Sequence, residues 1–271
     1  MLFDPALGLL PPIMAPSFCR ESFMTLSFSP PALAIPTELD ATLQQQGYAV
    51  LGAQHVTQLS GVSLTQLQAW CAGWNDLPPD AYLRDGGRYR RRRHSCFVVQ
   101  GDGVEQMPHR PHWQPVEYNA LHGGIERHFE PMLPEVLAQP AWAHLLAWVG
   151  RVCSALKGAQ PWFVEAHQFR IDTTDGIGRP TPEGAHRDGV DMVAVFMVGR
   201  QGVKGGETRV FEAAGPNGQR FTLEEPWSVL LLDDARVIHE TTPIQPAGPG
   251  GYRDTLVLTL RAGGFQAESS R

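Results

Sequence analysis

Phe163-Val164-Glu165-Ala166-His167-Gln168-Phe169-Arg170-Ile171 reads as a β-strand, and it stands where the chain changes character. Up to Gly158 apolar residues recur at helical spacing, in a long helix over residues 140–156 carrying Leu145, Leu146, Val149 and Val152. Beyond it come short strand-like runs at residues 190–198, 205–211, 227–232, 236–239 and 254–260, separated by Gly/Pro turns. Such a succession predicts a mainly β fold with flanking helices, a sandwich or barrel-like jelly roll, and not a Rossmann sheet. No Gly-x-Gly-x-x-Gly or P-loop occurs, which removes the usual support for nucleotide-cofactor chemistry.

Working outward from that block, residues 1–36 carry seven prolines from Pro5 to Pro36, a density that argues against regular structure and suggests an arm. Thr37 is a plausible cap for a helix over 38–46 stopped by Gly47, with a strand at 48–51; Ser63 caps a second helix, 64–75. The expected organisation is an arm (1–36), one domain (37–262) and a tail (263–271). With 271 residues there is enough chain for one large β domain. The formal charge of −6 gives no general attraction to nucleic acid or an anionic membrane, and no run of about 18 apolar residues predicts a membrane span. Cys19, Cys71, Cys96 and Cys153 form no Cys-x-x-Cys pair, which points to neither a disulfide framework nor a zinc ribbon and suits a reducing cytoplasm.

The chemistry concentrates in Glu183-Gly184-Ala185-His186-Arg187-Asp188-Gly189. In extended chain, residues two apart share a face, so His186 and Asp188 point the same way. His239, at the end of an apolar strand, is the candidate third ligand. Two imidazoles and one carboxylate suit non-haem Fe(II) with open coordination positions. Arg253 follows 14 residues after His239, beyond the turn at Pro249-Gly250-Gly251; an adjacent antiparallel strand would set it beside the His239 strand, able with Thr255 to take the distal carboxylate of a chelating diacid.

Other signals are weaker. The run Arg88-Tyr89-Arg90-Arg91-Arg92-Arg93 predicts a strand that is solvated or ion-paired, or sends one or two arginines into the site for a substrate or cosubstrate carboxylate; phosphate binding to nucleic acid is the weakest of the three readings in an acidic chain. His109 and His112, in a proline-rich loop, read as surface histidines, and His167 as a packed, hydrogen-bonded one. Asp233 and Asp234 read as turn formers that orient Arg236, with a bond to a ligand imidazole as the alternative. Glu207 reads as structural or cosubstrate-lining.

The order His186-x-Asp188, Gly205-Gly206-Glu207-Thr208, His239 and Arg253-x-Thr255 resembles the Fe(II)/2-oxoglutarate dioxygenases of double-stranded β-helix (cupin-like jelly-roll) fold. The likeness is nearest to the group of biofilm-stress-motility protein A homologues and L-isoleucine 4-hydroxylases, through Arg88-Tyr89-Arg90-Arg91-Arg92, Tyr118-Asn119 with Gly123-Gly124, His167-Gln168-Phe169-Arg170-Ile171 and Asp233-Asp234-x-Arg236-x-x-His239. It implies Fe(II) held by His186, Asp188 and His239, 2-oxoglutarate held by Arg253 and Thr255, O2 as oxidant, and hydroxylation of a free aliphatic amino acid with release of succinate and CO2. Tyr118, Asn119, Arg92 and Gln168 are the candidate substrate contacts. Two other functions fit part of the pattern: a metal-dependent hydrolase using the same His-Asp-His set, and a non-catalytic jelly-roll module binding a small ligand. The sequence leaves oligomeric state and the identity of the amino acid open.

Overall fold

A computed structural model describes residues 33–267 and the backbone of residues 25–27. Its strands are β1 (Thr25–Ser27), β2 (Tyr48–Leu51), β3 (Arg90–Gln100), β4 (Gly103–Gln106), β5 (Trp162–Asp172), β6 (Met192–Gln201), β7 (Val203–Gly205), β8 (Thr208–Glu212), β9 (Asn217–Phe221), β10 (Val229–Asp233), β11 (Val237–Thr241), β12 (Ile244–Pro246) and β13 (Tyr252–Arg261). Its α-helices are α1 (Leu39–Gln46), α2 (Ala53–Ser60), α3 (Leu64–Ala69), α4 (Pro134–Leu137) and α5 (Pro140–Lys157). A seven-stranded sheet, in the order β2-β10-β6-β13-β5-β3-β4, faces a four-stranded sheet, β1-β9-β8-β11, with β12 and β7 paired at the side. The long strands are antiparallel, as in a jelly roll.

Alternation along the strands sorts the interior. Phe97 and Val99 of β3, Val164 and Ala166 of β5 and Leu256, Leu258 and Leu260 of β13 share one buried cluster with Trp142, Leu145, Leu146, Val149 and Val152 of α5. The helices thus cover the outer face of the large sheet. Within that layer Trp70 meets Trp142 and Trp227 edge-on at 5.7 and 5.8 Å, an arrangement favoured by the ring quadrupoles. Trp74 Nε1 donates to the backbone carbonyls of Phe169 (3.1 Å) and Thr255 (3.2 Å), fastening a short 3-10 turn behind two strands whose other side chains face inward. Between the sheets, one half of the interior is apolar, built on Val193, Met197, Val210, Phe221, Leu230 and Leu232. The other half is a polar cavity.

Several sequence expectations shift. Thr37 lies inside a 3-10 turn (Pro36–Glu38) and caps nothing; a proline at its first position suits a missing N–H there. Gly47 does end α1, with φ +77°. Ser63 caps α3 in a capping box with Gln66, but the helix gives way after Ala69 to a 3-10 turn (Cys71–Trp74) and does not run to residue 75. Helix α2, which has no charged first turn, had no distinct sequence signal. Within the proline-rich arm, Thr25–Ser27 form a strand parallel to β9, so regular structure is not excluded there; the remaining residues before 33 lie outside the described ones. Among the described residues no helix is long and apolar enough to cross a membrane.

The largest correction concerns Arg253. Its strand, β13, lies in the large sheet between β6 and β5, whereas β11, with His239, is the edge of the small sheet beside β8. The turn after β12 therefore sends the chain across the sandwich, and Arg253 faces His239 instead of standing beside it.

Candidate metal centre

His186 and His239 meet through a two-way backbone bridge: His186 N–H donates to His239 O at 3.0 Å and His239 N–H to His186 O at 2.9 Å. That pairing sets the two rings 4.7 Å apart. The His186 Nδ1–H donates to Gly184 O at 2.8 Å, which leaves the Nε2 lone pair free. His186 Nε2 lies 3.9 Å from Asp188 Oδ1, and His239 Nε2 3.7 Å from Asp188 Oδ2. One ligand atom from each of the three falls within 4.8 Å of the others. Burial pushes the His239 imidazole down to about 3, so it is neutral, as a metal ligand must be. Two imidazole nitrogens and one carboxylate on one side, with a cavity on the other, form a donor set that fits Fe(II) and leaves a face open.

The loop carrying Asp188 is held from three sides. Asp234 accepts the backbone N–H groups of Asp188 (3.0 Å), Gly189 (2.8 Å) and Val190 (3.1 Å). Gln266 Nε2 donates to the carbonyls of Asp188 (3.0 Å) and Gly189 (2.9 Å). Gln114 Nε2 donates to Asp188 Oδ1 at 3.1 Å. Gly189 has φ +75°, and a Cβ there would come 2.4 Å from the Tyr118 ring, so glycine is required twice over. Asp234 therefore acts on the ligand loop, while Arg236 turns away and donates to the last carbonyls of α1, at Leu43, Gln44 and Gln45. Asp234→Ala is expected to lower Fe(II) affinity about 10–100-fold, the usual cost of an outer support. Anaerobic calorimetry of metal binding, with circular dichroism to confirm the fold, checks this; unchanged affinity would show the loop to be self-supporting.

The cavity of ≈ 130 Å³ is lined by the triad, Arg253, Thr255, Arg90, Arg92, Arg127, Glu165, His167, Phe169, Gln114 and Asn119, among others. Strand alternation explains the arginine run: Arg90 and Arg92 point inward, while Arg91 pairs with Asp172 and Arg93 with Glu130 nearer the surface. The run thus divides by face: Arg91 and Arg93 are ion-paired as expected, and Arg90 and Arg92 line the cavity. Buried Asp80 accepts from Arg90 Nε at 2.7 Å and lies 3.9 Å from Arg92 Nη1. Arg92 is stacked between Phe129 and Phe169, 3.8 and 4.4 Å from their centroids.

Burial opposes ionisation of Asp80, but Arg90 and Arg92 outweigh it and hold its carboxyl below the usual range. Because the folded value is the lower one, Asp80 contributes stability that is present above the unfolded carboxyl value of about 3.9 and is lost as pH falls through the folded value. Asp80→Asn is expected to cost about 3–5 kcal/mol at pH 7 by stranding two buried guanidinium groups. In thermal melts the gap between the two proteins should narrow as pH falls below about 4; equal stability at pH 7 would remove the claim.

The candidate substrate residues do not all meet. Arg92 and Asn119 line the cavity; Asn119 Nδ2 donates to Gln114 Oε1 at 3.2 Å. Tyr118 packs behind the ligand loop on Gly189. Gln168 is buried on the opposite face of β5, near Gly73. His112 is no surface histidine: it is buried, with Nδ1 bonded to Glu165 at 3.1 Å. His167 is packed and hydrogen-bonded as expected, and it also faces the cavity. Glu207 pairs with Arg209 and Arg220, away from the cavity lining. Gln114, Arg127, Glu165 and Gln266 had no motif of their own; strand alternation from His167 was the one available pointer, to Glu165.

A jelly roll with two histidines and an aspartate facing a cavity is the arrangement of a non-haem Fe(II) oxygenase. The chain belongs to the 2OG-Fe dioxygenase family, whose model matches residues 71–259. A comparison with curated protein sequences found no match. Among solved structures, a bsmA homolog from Methylobium petroleophilum PM1 is 51% identical, with a TM-score of 0.83 over 91% of this chain and 100% of the other. IDO from Bacillus thuringiensis (16% identity, TM-score 0.69, 88% and 100% covered) shares the fold. So does the Fe(II)/(alpha)ketoglutarate-dependent dioxygenase TqaL (19%, 0.65, 86% and 90%). The protein is a dioxygenase that uses Fe(II), 2-oxoglutarate and O2; the hydrolase and non-catalytic alternatives fall away.

Proposed function

We propose that this dioxygenase acts on a free aliphatic L-amino acid, or a zwitterion of similar size, in the cytoplasm. The observation that carries the proposal is the pairing of the cavity arginines. Four line the cavity. Arg90 and Arg92 share Asp80, whereas Arg127 and Arg253 have no carboxylate within 4.0 Å among the described residues. Burial lowers both unpaired guanidinium groups to about 10, so each remains a cation at neutral pH. A buried cation without a counter-ion is costly, and two of them call for two carboxylates. One belongs to 2-oxoglutarate, whose distal carboxylate we assign to Arg253 and the Thr255 hydroxyl. The other belongs to the substrate, at Arg127, with Arg92 and Asn119 on the same wall. The cavity is smaller than the roughly 300–1,000 Å³ of sites for drug-sized ligands, which favours a small substrate.

Bound iron and 2-oxoglutarate supply the chemistry, oxidative decarboxylation to succinate and CO2 coupled to oxygenation of a C–H bond. This chain's residues orient and shield. Asp234, Gln114 and Gln266 hold the carboxylate ligand in place, and Phe169, Val195 and Val257 supply apolar wall near the ligands. Anaerobic addition of Fe(II) and 2-oxoglutarate should produce a weak visible charge-transfer band, followed in air by succinate release that free amino acids stimulate. No band from folded, iron-loaded protein would defeat the 2-oxoglutarate assignment. A band without stimulation by any amino acid would defeat the substrate class alone.

A further inference from the structure

Glu165 is a buried carboxylate with no arginine or lysine nitrogen within 4.0 Å among the described residues, Arg92 being the nearby guanidinium, on His167. Its Oε1 accepts from His94 Nε2 and His112 Nδ1, both at 3.1 Å. No described residue bonds its Oε2, which is not among the sealed polar atoms, so that oxygen is open to the cavity Glu165 lines. Both imidazoles are neutral: burial lowers His94 and takes His112 down to about 4, although Glu165 pulls the other way. Burial also opposes ionisation of Glu165, yet electrostatic attraction to His112 and the hydrogen bonds from His112 and His94 hold its carboxyl below the usual range. It therefore carries a negative charge that no group within 4.0 Å neutralises.

A second metal ion is the first alternative, since ligand atoms of His94, His112, Glu165 and His167 lie within 4.8 Å of one another. Arg92 rules against it. Its Nη2 is 2.7 Å from His167 Nδ1, and a guanidinium only donates, so Nδ1 accepts and the proton sits on Nε2. His167 then has no lone pair to offer, and a fixed positive charge stands in the cluster. Glu183, the other cavity carboxylate outside the triad, lies 3.6 Å from His186 Nε2, where Fe(II), when bound, would offset its charge.

The position of Glu165 fits a ligand pole. It pairs in register with Thr259, six residues along β13 from Arg253, which at about 3.3 Å per residue separates the two ends by roughly 20 Å. Glu165 thus stands at the far end from the 2-oxoglutarate anchor. Arg127, whose Nη2 bonds Gln114 Oε1 at 2.8 Å, ties the proposed carboxylate pole to the residue that also holds Asp188.

Building on the amino acid reading above, we infer that Glu165 receives the substrate's α-ammonium group and makes the enzyme select α-amino acids over the corresponding simple acids. His94 and His112 are positioning residues that aim the carboxylate with Oε2 free. Arg127 and Glu165 then form one cation and one anion for the two poles of a zwitterion.

The test is anaerobic calorimetric binding to enzyme loaded with Fe(II) and 2-oxoglutarate, using two matched pairs: L-leucine with 4-methylpentanoate, and L-methionine with 4-(methylthio)butanoate. In the unaltered protein at least one amino acid should bind about 30-fold or more tighter than its partner lacking the amino group, the scale of losing one side of a buried charge pair. Glu165→Gln should bring that ratio to within a few-fold, and Glu165→Asp should leave an intermediate ratio. His112→Asn should lower the ratio in part. A purely structural role would weaken both members of a pair alike and leave the ratio unchanged, which would overturn the assignment. Equal binding of both members by the unaltered protein would overturn it without any variant. If neither amino acid binds, the substrate reading fails first and this one falls with it.

Discussion

Asp188→Asn is expected to leave a folded protein that neither retains Fe(II) nor forms succinate. The change is nearly isosteric, and the loop is held through its backbone by Asp234 and Gln266, so the surroundings have no reason to collapse. Gln114 can still donate to the remaining carbonyl oxygen. What disappears is the anionic donor between two imidazole nitrogens 3.7 and 3.9 Å away. Hard, doubly charged Fe(II) then meets two neutral donors and an amide. The loss should exceed the roughly 10–100-fold that removing an outer support costs. Metal analysis after anaerobic reconstitution and desalting reads it directly. Stoichiometric iron in the variant would mean that another carboxylate completes the site, and Glu183, 3.6 Å from His186 Nε2, would be the one to replace next.

Arg253→Ala separates cosubstrate binding from metal binding. Arg253 is buried, has no carboxylate partner among the described residues, and its Nε is unbonded. Under the proposed assignment, its removal leaves the 2-oxoglutarate carboxylate with the Thr255 hydroxyl and without its buried counter-ion. Truncating one member of a buried charge pair costs about 2–5 kcal/mol. At about 1.4 kcal/mol per tenfold, the apparent 2-oxoglutarate requirement should rise roughly 30- to several-thousand-fold. Iron binding should persist, since no ligand is altered. Arg253→Lys should recover part of the loss, because a point charge replaces the planar fork. An unchanged requirement would show that the cosubstrate's distal carboxylate lies elsewhere, and Arg127 would be the residue to test.

The two variants also show what could be read from order alone. His186 and Asp188 could be paired from sequence because extended chain places alternate residues on one face, a purely local rule. The same rule put Arg90 and Arg92 on one side of β3 and Arg91 and Arg93 on the other. His112 misled because a proline-rich loop has no periodicity, so nothing local signals that it turns inward to Glu165, 53 residues away. Gln168 misled because it stands beside a cavity-facing neighbour and so points to the opposite face of β5.

The sequence by itself determined the β character after residue 158, the grouping of His186, Asp188 and His239 as candidate iron ligands and the candidacy of Arg253, since each rests on strand period or on the order of chemically distinctive residues. Only the tertiary structure decided that Arg253 faces His239 across the sandwich, because sheet order is set by which strands bury their faces together and not by the turn between them. It alone brought Glu165, Arg127, Gln114 and Gln266 to one cavity. Their partners lie 13 to 78 residues away along the chain, and contacts that distant follow from packing that no local pattern encodes.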